Sequence, residues 1–266
     1  MRAMVRLMCV LLLLIGSVMI IIAQDTRKVS KTIQLKPDGK VVIDTYKGSV
    51  DVVGWDKNEV NITATIEADG HNRYSRERVE DTEIRIDESS STVRIKSDYR
   101  RTNRHGSFFG LFSSDDGTMP FVHYKISMPR TAKLVVKDYK SENTIVGLRS
   151  DVDINTYKGT VRLENLEGSV SLNTYKGEAT VKLAAVRNRC SFDTYKGEIG
   201  VKIPRGSGFE VNLDIEKNGE FSSDFTLEKR SASKRSKGYH YSEKINGGGP
   251  EVLLKSYRGT IRLESY

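Results

Sequence analysis

Apolar and polar residues alternate over short stretches along most of this 266-residue chain. Between residues 131 and 206 the alternation comes in pairs of short runs, and the apolar positions change parity from the first run of a pair to the second. Alternation at a spacing of two predicts β-strands with one buried face, and the change of parity predicts a corner between them. The pattern therefore predicts a series of two-stranded coils.

A five-residue motif, Asp or Asn followed by Thr-Tyr-Lys-Gly, marks each predicted corner. It occurs at residues 44–48, 155–159, 173–177 and 193–197, with altered copies at 138–141 and 256–259. In the regular part the tyrosines are 18, 18 and 20 residues apart; they are Tyr139, Tyr157, Tyr175 and Tyr195. A fixed short period is typical of stacked supersecondary units. The chain is predicted to be all-β, a β-solenoid or β-helix-like stack of two-stranded coils of 18–20 residues.

The apolar positions of the copies predict the core. Counted from the motif tyrosine, the fifth and third residues before it and the fourth and sixth after it are apolar in nearly every copy. The exception is Asn143, the fourth residue after Tyr139. Equivalent residues are expected to form columns about 4.8 Å apart along the stack. At the motif glycine we expect a positive φ angle, which glycine adopts without cost.

The rest of the chain is less regular. Residues 32–130 and 207–266 contain further alternating runs, broken by polar and glycine-rich stretches. Solenoids need atypical end pieces that cover their terminal strands. We therefore expect a single domain over residues 24–266, with an irregular N-terminal part at 32–130, regular coils at 131–206 and a C-terminal capping part at 207–266.

The first 23 residues read as a signal peptide. Arg2 and Arg6 precede an apolar run that extends to Ala23, and polar residues follow. Cleavage after Ala23 would export the protein, to the periplasm, the cell surface or the medium. The alternative is an uncleaved single-pass anchor, the only case in which this segment would place the protein in a membrane.

The order of these parts resembles that of the bacterial β-strand-repeat putative adhesin family. The resemblance rests on the export signal, a strand that ends at Pro129, the coils with a glycine corner, and the Gly-rich residues 245–249 before the last copy. It implies an adhesin-like solenoid of unknown function, exposed in the periplasm or at the cell surface, without a known cofactor or assigned catalytic residues. The Tyr-Lys-Gly corner departs from the usual Ser-Gly-acid corner of such proteins.

Catalytic chemistry has little support in the sequence. The four histidines lie at no metal-ligand spacing, and Cys190 occupies an inward position of its copy, so no metal, cofactor or catalytic residue is predicted. A carbohydrate-active enzyme, a polysaccharide lyase or hydrolase built on a β-helix, remains the enzymatic alternative. Its carboxylates would come from Glu164, Glu178 and Glu198 on neighbouring coils.

The corner residues form the candidate binding strip. Aromatic rings beside cations favour carbohydrate or an anionic polymer as ligand. The alternative is that the tyrosines cover the corner of the stack while the lysines keep it soluble. The residues of the strip are Tyr139, Lys140, Tyr157, Lys158, Tyr175, Lys176, Tyr195 and Lys196.

A second candidate surface is a long loop with four large apolar residues, Phe108, Phe109, Leu111 and Phe112. Such residues either fold back over the side of the solenoid or insert into a partner or a membrane surface. The formal net charge is +8, or +6 without Arg2 and Arg6. Because the basic clusters lack interleaved aromatic residues, nucleic acid is not expected as a partner.

The sequence thus predicts an exported, non-enzymatic, adhesin-like envelope protein that presents a repetitive β surface. Its expected partner is an anionic polysaccharide or another envelope protein. Besides the enzymatic alternative, a partner subunit of an envelope signalling system remains open.

Overall fold

The computed structural model describes residues 19–23, 26–70, 73–102, 119–216, 218–227, 233–235 and 238–266. In chain order the elements are β1 (Met19–Ala23), β2 (Thr26–Gln34), β3 (Lys40–Asp44), β4 (Lys47–Trp55), β5 (Glu59–Glu67), α1 (Arg73–Asp81), β6 (Glu83–Glu88), β7 (Thr92–Asp98), β8 (Phe121–Pro129), β9 (Lys133–Asp138), β10 (Lys140–Val146), β11 (Val152–Thr156), β12 (Thr160–Leu166), β13 (Val170–Thr174), β14 (Glu178–Leu183), β15 (Cys190–Thr194), β16 (Glu198–Ile203), β17 (Phe209–Glu216), β18 (Glu220–Ser223), β19 (Ser233–Arg235), β20 (Gly238–Ile245), β21 (Glu251–Ser256) and β22 (Thr260–Ser265).

These strands form two sheets of 11 strands each. The first sheet has the order β1-β2-β5-β8-β4-β10-β12-β14-β16-β22-β18, and the second has the order β19-β20-β17-β21-β15-β13-β11-β9-β3-β7-β6. Each coil gives one strand to each sheet, and neighbouring coils pair in parallel. The predicted β-solenoid of two-stranded coils is confirmed.

The parallel stack contains eight coils, numbered here by their position in space. Coil 1 is β7 and β8, coil 2 is β3 and β4, coil 3 is β9 and β10, coil 4 is β11 and β12, coil 5 is β13 and β14, coil 6 is β15 and β16, coil 7 is β21 and β22, and coil 8 is β17 and β18. The regular stack therefore extends on both sides of residues 131–206, because the motif copies at 44–48 and 256–259 join it in register.

Chain order and spatial order differ at both ends of the stack. The strands of coil 2 precede those of coil 1 in the sequence, and the strands of coil 8 precede those of coil 7. Tyr46 consequently neighbours Tyr139, and Tyr195 neighbours Tyr257, although long segments separate them in the chain. The first and last motif copies thus lie inside the stack, each between two other coils.

Antiparallel strands cover the two ends. Beyond coil 1, β5, β2 and β1 continue the first sheet and β6 continues the second. Beyond coil 8, β20 and β19 continue the second sheet. Helix α1 lies in the polar stretch between β5 and β6. Met19–Ala23, the end of the predicted signal peptide, pairs with β2, and its cleavage remains a prediction.

The core lies between the two sheets and is made by the predicted inward positions. All of the apolar residues at those positions are buried, from Val41 and Ile43 in coil 2 to Val252 and Leu254 in coil 7. They belong to one continuous cluster. Cys190 is part of it, and burial raises the pKa of its thiol.

The expectation of a positive φ at the motif glycines is wrong for all but Gly48, whose φ is 126°. The other motif glycines are required by close stacking instead. A Cβ atom at Gly177 would lie 2.0 Å from the backbone oxygen of Gly159, and one at Gly197 would lie 2.0 Å from that of Gly177. Successive coils approach so closely at this corner that no side chain fits there.

Candidate functional site: a tyrosine ladder at one corner of the solenoid

The motif tyrosines of coils 2 to 7 stack into one continuous ladder. Ring centroids of neighbours are 4.6–4.9 Å apart, and the ring planes lie within 8° of parallel. At the coil 1 end, Tyr99 meets Tyr46 edge to face, with centroids 6.2 Å apart. The ladder consists of Tyr46, Tyr139, Tyr157, Tyr175, Tyr195 and Tyr257. It contains all four predicted tyrosines and one more at each end.

The backbone beneath the ladder is held by hydrogen bonds from coil to coil. The motif lysine N–H donates to the carbonyl oxygen of the tyrosine one coil earlier, as from Lys176 to Tyr157 at 2.9 Å. Inside the corner, the buried Thr174 Oγ1 accepts the N–H of Gly177 at 2.8 Å, and equivalent bonds occur in coils 4, 6 and 7. The rings are therefore fixed on a rigid base.

A row of cations runs beside the ladder. The ammonium groups of Lys158, Lys176 and Lys196 lie 5.5–5.9 Å from the centroids of their own tyrosine rings, and the Arg258 guanidinium lies 5.3 Å from that of Tyr257. These side chains and Lys140 are exposed. Lys47 of coil 2 differs: it is buried, with its Nζ 2.5 Å from Asp69 Oδ2. The exposed cation row is Lys140, Lys158, Lys176, Lys196 and Arg258.

Among the described residues, none of the five exposed cations of this corner forms an ion pair. Each lies more than 4.0 Å from every carboxylate oxygen there. Two ammonium groups about 5 Å apart repel each other by somewhat less than 1 kcal/mol in water. The row is thus a line of like charges without a direct ion pair to the described part of the chain.

The cations of the opposite corner, formed by residues 147–151, 167–169 and 184–189, are paired with acids. Arg149 lies 3.5 Å from Glu167, Arg189 lies 2.6 Å from Glu251, and Lys133 beside this corner lies 2.9 Å from Asp151. Hydrogen bonds from Ser169 and, to a smaller extent, from Lys133 lower the pKa of Asp151. The positive charges at this corner are therefore neutralised by acidic side chains of the same chain.

Three acids, interrupted by Thr160 in coil 4, form a row beside the cation row on the outer face of the first sheet. Glu142, Glu178 and Glu198 each lie two residues after a cation of the row and line a shallow depression of about 390 Å³. Glu178 and Glu198 are register partners on adjacent strands, and Arg262 pairs with Glu198. Glu164 is not in this column, because it pairs in register with Lys182.

Coil 3 carries a buried polar cluster that the sequence analysis did not identify. Asp138 takes the place of the corner threonine, and its carboxylate accepts hydrogen bonds from Ser141 N–H, Thr156 Oγ1 and Asn143 Nδ2 at 2.8–3.0 Å. Asn143, the apparent exception among the core positions, is thereby explained. Burial raises the pKa of Asp138. The signal was present, because the same copy departs from the motif at all three positions 138, 141 and 143.

The remaining candidates add no site within the described residues. Phe108, Phe109, Leu111 and Phe112 lie outside the described residues. The segment that holds them leaves coil 1 after Asp98 and returns at Phe121, next to the Tyr46 end of the ladder. Among the residues described, no group of three or more His, Cys, Asp or Glu side chains could hold a metal ion. Nor does this part of the chain contain a helix of the length and apolarity needed to span a membrane.

Comparison with solved structures finds similar chains at low sequence identity. A putative cell adhesion protein from Clostridium sporogenes ATCC 15579 is 12% identical, with a TM-score of 0.48 over 89% of this chain and 99% of that one. From Parabacteroides distasonis ATCC 8503, a putative lipid binding protein (11%, TM-score 0.26) and a putative adhesin (10%, TM-score 0.27) each match over 89% of this chain and 96% of theirs.

No curated protein sequence matches the chain significantly. Among protein families, the model of Toastrack DUF4097 matches residues 140–264, which run from β10 to β22. This segment contains four of the six ladder tyrosines and the whole exposed cation row. The predicted resemblance to an adhesin-like family of unknown function is confirmed, and residues 140–264 are similar to the Toastrack DUF4097 family.

Proposed function

We propose that this protein is an exported, non-enzymatic, adhesin-like component of the cell envelope that binds an anionic polysaccharide at its Tyr-Lys corner. The observation that carries the proposal is the row of five exposed cations, held on a tyrosine ladder and without ion pairs to the described residues. Aligned like charges repel, and an anionic ligand along the row would relieve that repulsion.

The opposite corner supports this interpretation by contrast. Its arginines are as exposed as the lysines of the ladder, yet they pair with glutamates of the same fold. Cations held in ion pairs must give up those partners to bind an external anion, whereas the cations of the Tyr-Lys corner gain a partner. We therefore expect binding to depend on one corner and not on total charge.

Retention on immobilised polygalacturonate tests the proposal. The double variant Lys158→Glu/Lys176→Glu should bind at least tenfold more weakly, because each basic residue near an anionic surface contributes about 1 kcal/mol. Its melting temperature should change by no more than about 2 °C, since exposed charges contribute little to stability.

The matched control is Arg149→Glu/Arg189→Glu, which makes the same change of charge at the opposite corner. It should keep the retention of the unmodified protein. Unchanged retention of the lysine variant, or equal loss in the control, would reject the corner as the binding site. Retention on an acidic envelope protein but on no polysaccharide would show that the ligand is a protein and not a polysaccharide.

Export and the absence of catalysis need their own measurements. N-terminal sequencing of the exported protein should give Gln24 as the first residue, and an intact Met1 would instead indicate a membrane-anchored form. A reducing-sugar assay on bound polysaccharide should detect no product. Turnover that disappears in Glu178→Gln would overturn the non-enzymatic proposal.

A further inference from the structure

We infer that the ligand is an extended thread of anionic polysaccharide that lies along the solenoid axis and meets one cation of the row per coil. This inference rests on the proposed function and adds to it the direction and shape of the ligand. It follows from three features of the corner: which parts of the rings remain accessible, how the charges beside the row are arranged, and how long the row is.

The accessible parts of the ladder are ring edges and hydroxyl groups, not ring faces. Tyr139, Tyr157, Tyr175 and Tyr195 each have a parallel neighbour on both sides at 4.6–4.9 Å. Binding by stacking, as for nucleic-acid bases, needs a free aromatic face. These four rings therefore cannot hold a ligand by stacking, and the adjacent ammonium groups provide the attraction.

The charges beside the row favour a linear, thread-like ligand over a flat anionic surface such as a membrane. On one side runs the acid row Glu142, Glu178 and Glu198. On the other side the residues two positions before the tyrosines are mixed in charge: Lys137, Asn155, Asn173, Asp193 and Lys255. An anionic membrane surface would bring its charges against the acid row as well as the cations, whereas a single thread touches only the cations. The corner therefore fits a linear polymer better than a bilayer.

The row sets the length of ligand that it can use. From the Tyr139 ring to the Tyr257 ring there are four separations of 4.6–4.9 Å, or about 19 Å. A thread along the axis gains one cation per coil over this distance and nothing beyond it. A thread across the axis would meet one or two coils whatever its length. Dependence of affinity on chain length thus distinguishes the two directions.

The experiment measures affinity for oligogalacturonates from the dimer to the decamer with two double variants that remove equal charge. Lys158→Gln/Lys176→Gln interrupts the middle of the row, and Lys140→Gln/Arg258→Gln shortens it from both ends. For the unmodified protein, affinity should rise up to about fivefold with each added contact and then become constant once the oligomer spans the row.

The two variants should differ for a short ligand and agree for a long one. The end variant keeps three consecutive cations, Lys158, Lys176 and Lys196, so its affinity for the trimer should stay within about twofold of the unmodified value. The middle variant keeps no three in succession and should bind the trimer about fivefold or more weakly. Both should lose affinity similarly for the decamer.

Equal effects of the two variants at every length would overturn the axial thread. So would binding of the unmodified protein to phosphatidylserine vesicles as strongly as to the decamer. In either case, retention on polygalacturonate that still depends on Lys158 and Lys176 would leave the proposed function standing. Absence of any retention would reject the proposed function itself.

Discussion

The Tyr-Lys corner and the opposite corner share a steric constraint at Gly177 and Gly168 but use their charges differently. A Cβ atom added at either glycine would collide with a backbone oxygen of the previous coil, at 2.0 Å for Gly177 and 2.1 Å for Gly168. The opposite corner pairs its cations with glutamates, whereas the Tyr-Lys corner aligns tyrosines and has five exposed cations that form no ion pair with the described residues. Close stacking is therefore a property of the fold, and the unpaired row is a property of one surface.

The largest expected effect tests what the two corners share. Gly177→Ala and Gly168→Ala should each lower the free energy of unfolding by about 2–4 kcal/mol, because a backbone oxygen cannot move aside as a side chain would. Chemical denaturation measures this. The control is Gly200→Ala on β16, where the nearest atom to an added Cβ is 3.9 Å away; a similar loss there would contradict the steric explanation.

The next effect tests the ladder. Tyr175→Ala removes two stacked contacts and should cost about 1–3 kcal/mol, since an aromatic pair contributes about 0.5–1.5 kcal/mol. Loss of the coupled tyrosine signal in near-ultraviolet circular dichroism should accompany it. The control Tyr74→Ala changes a tyrosine that is 68% exposed and should cost less than about 0.5 kcal/mol. Equal costs would show that stacking adds nothing.

The buried polar cluster of coil 3 tests whether one coil can be made like its neighbours. Asp138→Thr/Asn143→Val restores the residues found in coil 4 and should stabilise the protein by about 1–2 kcal/mol at neutral pH. Burial raises the folded-state pKa of Asp138, so its charged form costs stability. The variant's advantage should therefore be small below the unfolded value of about 3.9 and grow as the pH rises through the folded-state pKa. An advantage independent of pH would contradict this.

The smallest effect has opposite signs at the two corners. At low salt, Lys158→Gln should raise stability by up to about 0.5 kcal/mol because it relieves repulsion, while Arg189→Gln should lower it by a similar amount because it breaks the ion pair with Glu251. Both differences should shrink at high salt. Thermal unfolding at two ionic strengths measures them, and a shared sign would mean that the corners do not differ in charge use.

The sequence pattern predicted the coils and most of the ladder because both depend on local periodicity. Alternation fixed which residues face the core, and the 18-residue spacing placed Tyr157 above Tyr139 and Tyr175 above Tyr157. The motif copies around Tyr46 and Tyr257 were also visible. Their neighbours were not predictable, because pairing between distant copies is decided by strand register in the folded stack.

The glycine and Asn143 show two other limits. Repetition showed that glycine was needed but not whether the reason was its φ angle or the closeness of the next coil, which only the assembled stack determines. Asn143 looked like an isolated exception because its partner, the Asp138 carboxylate, lies in the other sheet's strand. Likewise, the local sequence cannot predict that the lysines of the row form no ion pairs with the described residues, since pairing depends on side chains brought from other coils.

The exchanged order of the end coils determines when the molecule can finish folding. Strands β17 and β18 are synthesised before β21 and β22 but lie outside them. They have no parallel partner until residues 251–265 have been synthesised, so a chain folding from its N-terminus leaves coil 8 without its neighbour until then. A product truncated before residue 251 would expose unpaired strand edges and become a target for aggregation and proteolysis. Strands β21 and β22 thus join a coil made earlier in the chain to the rest of the stack.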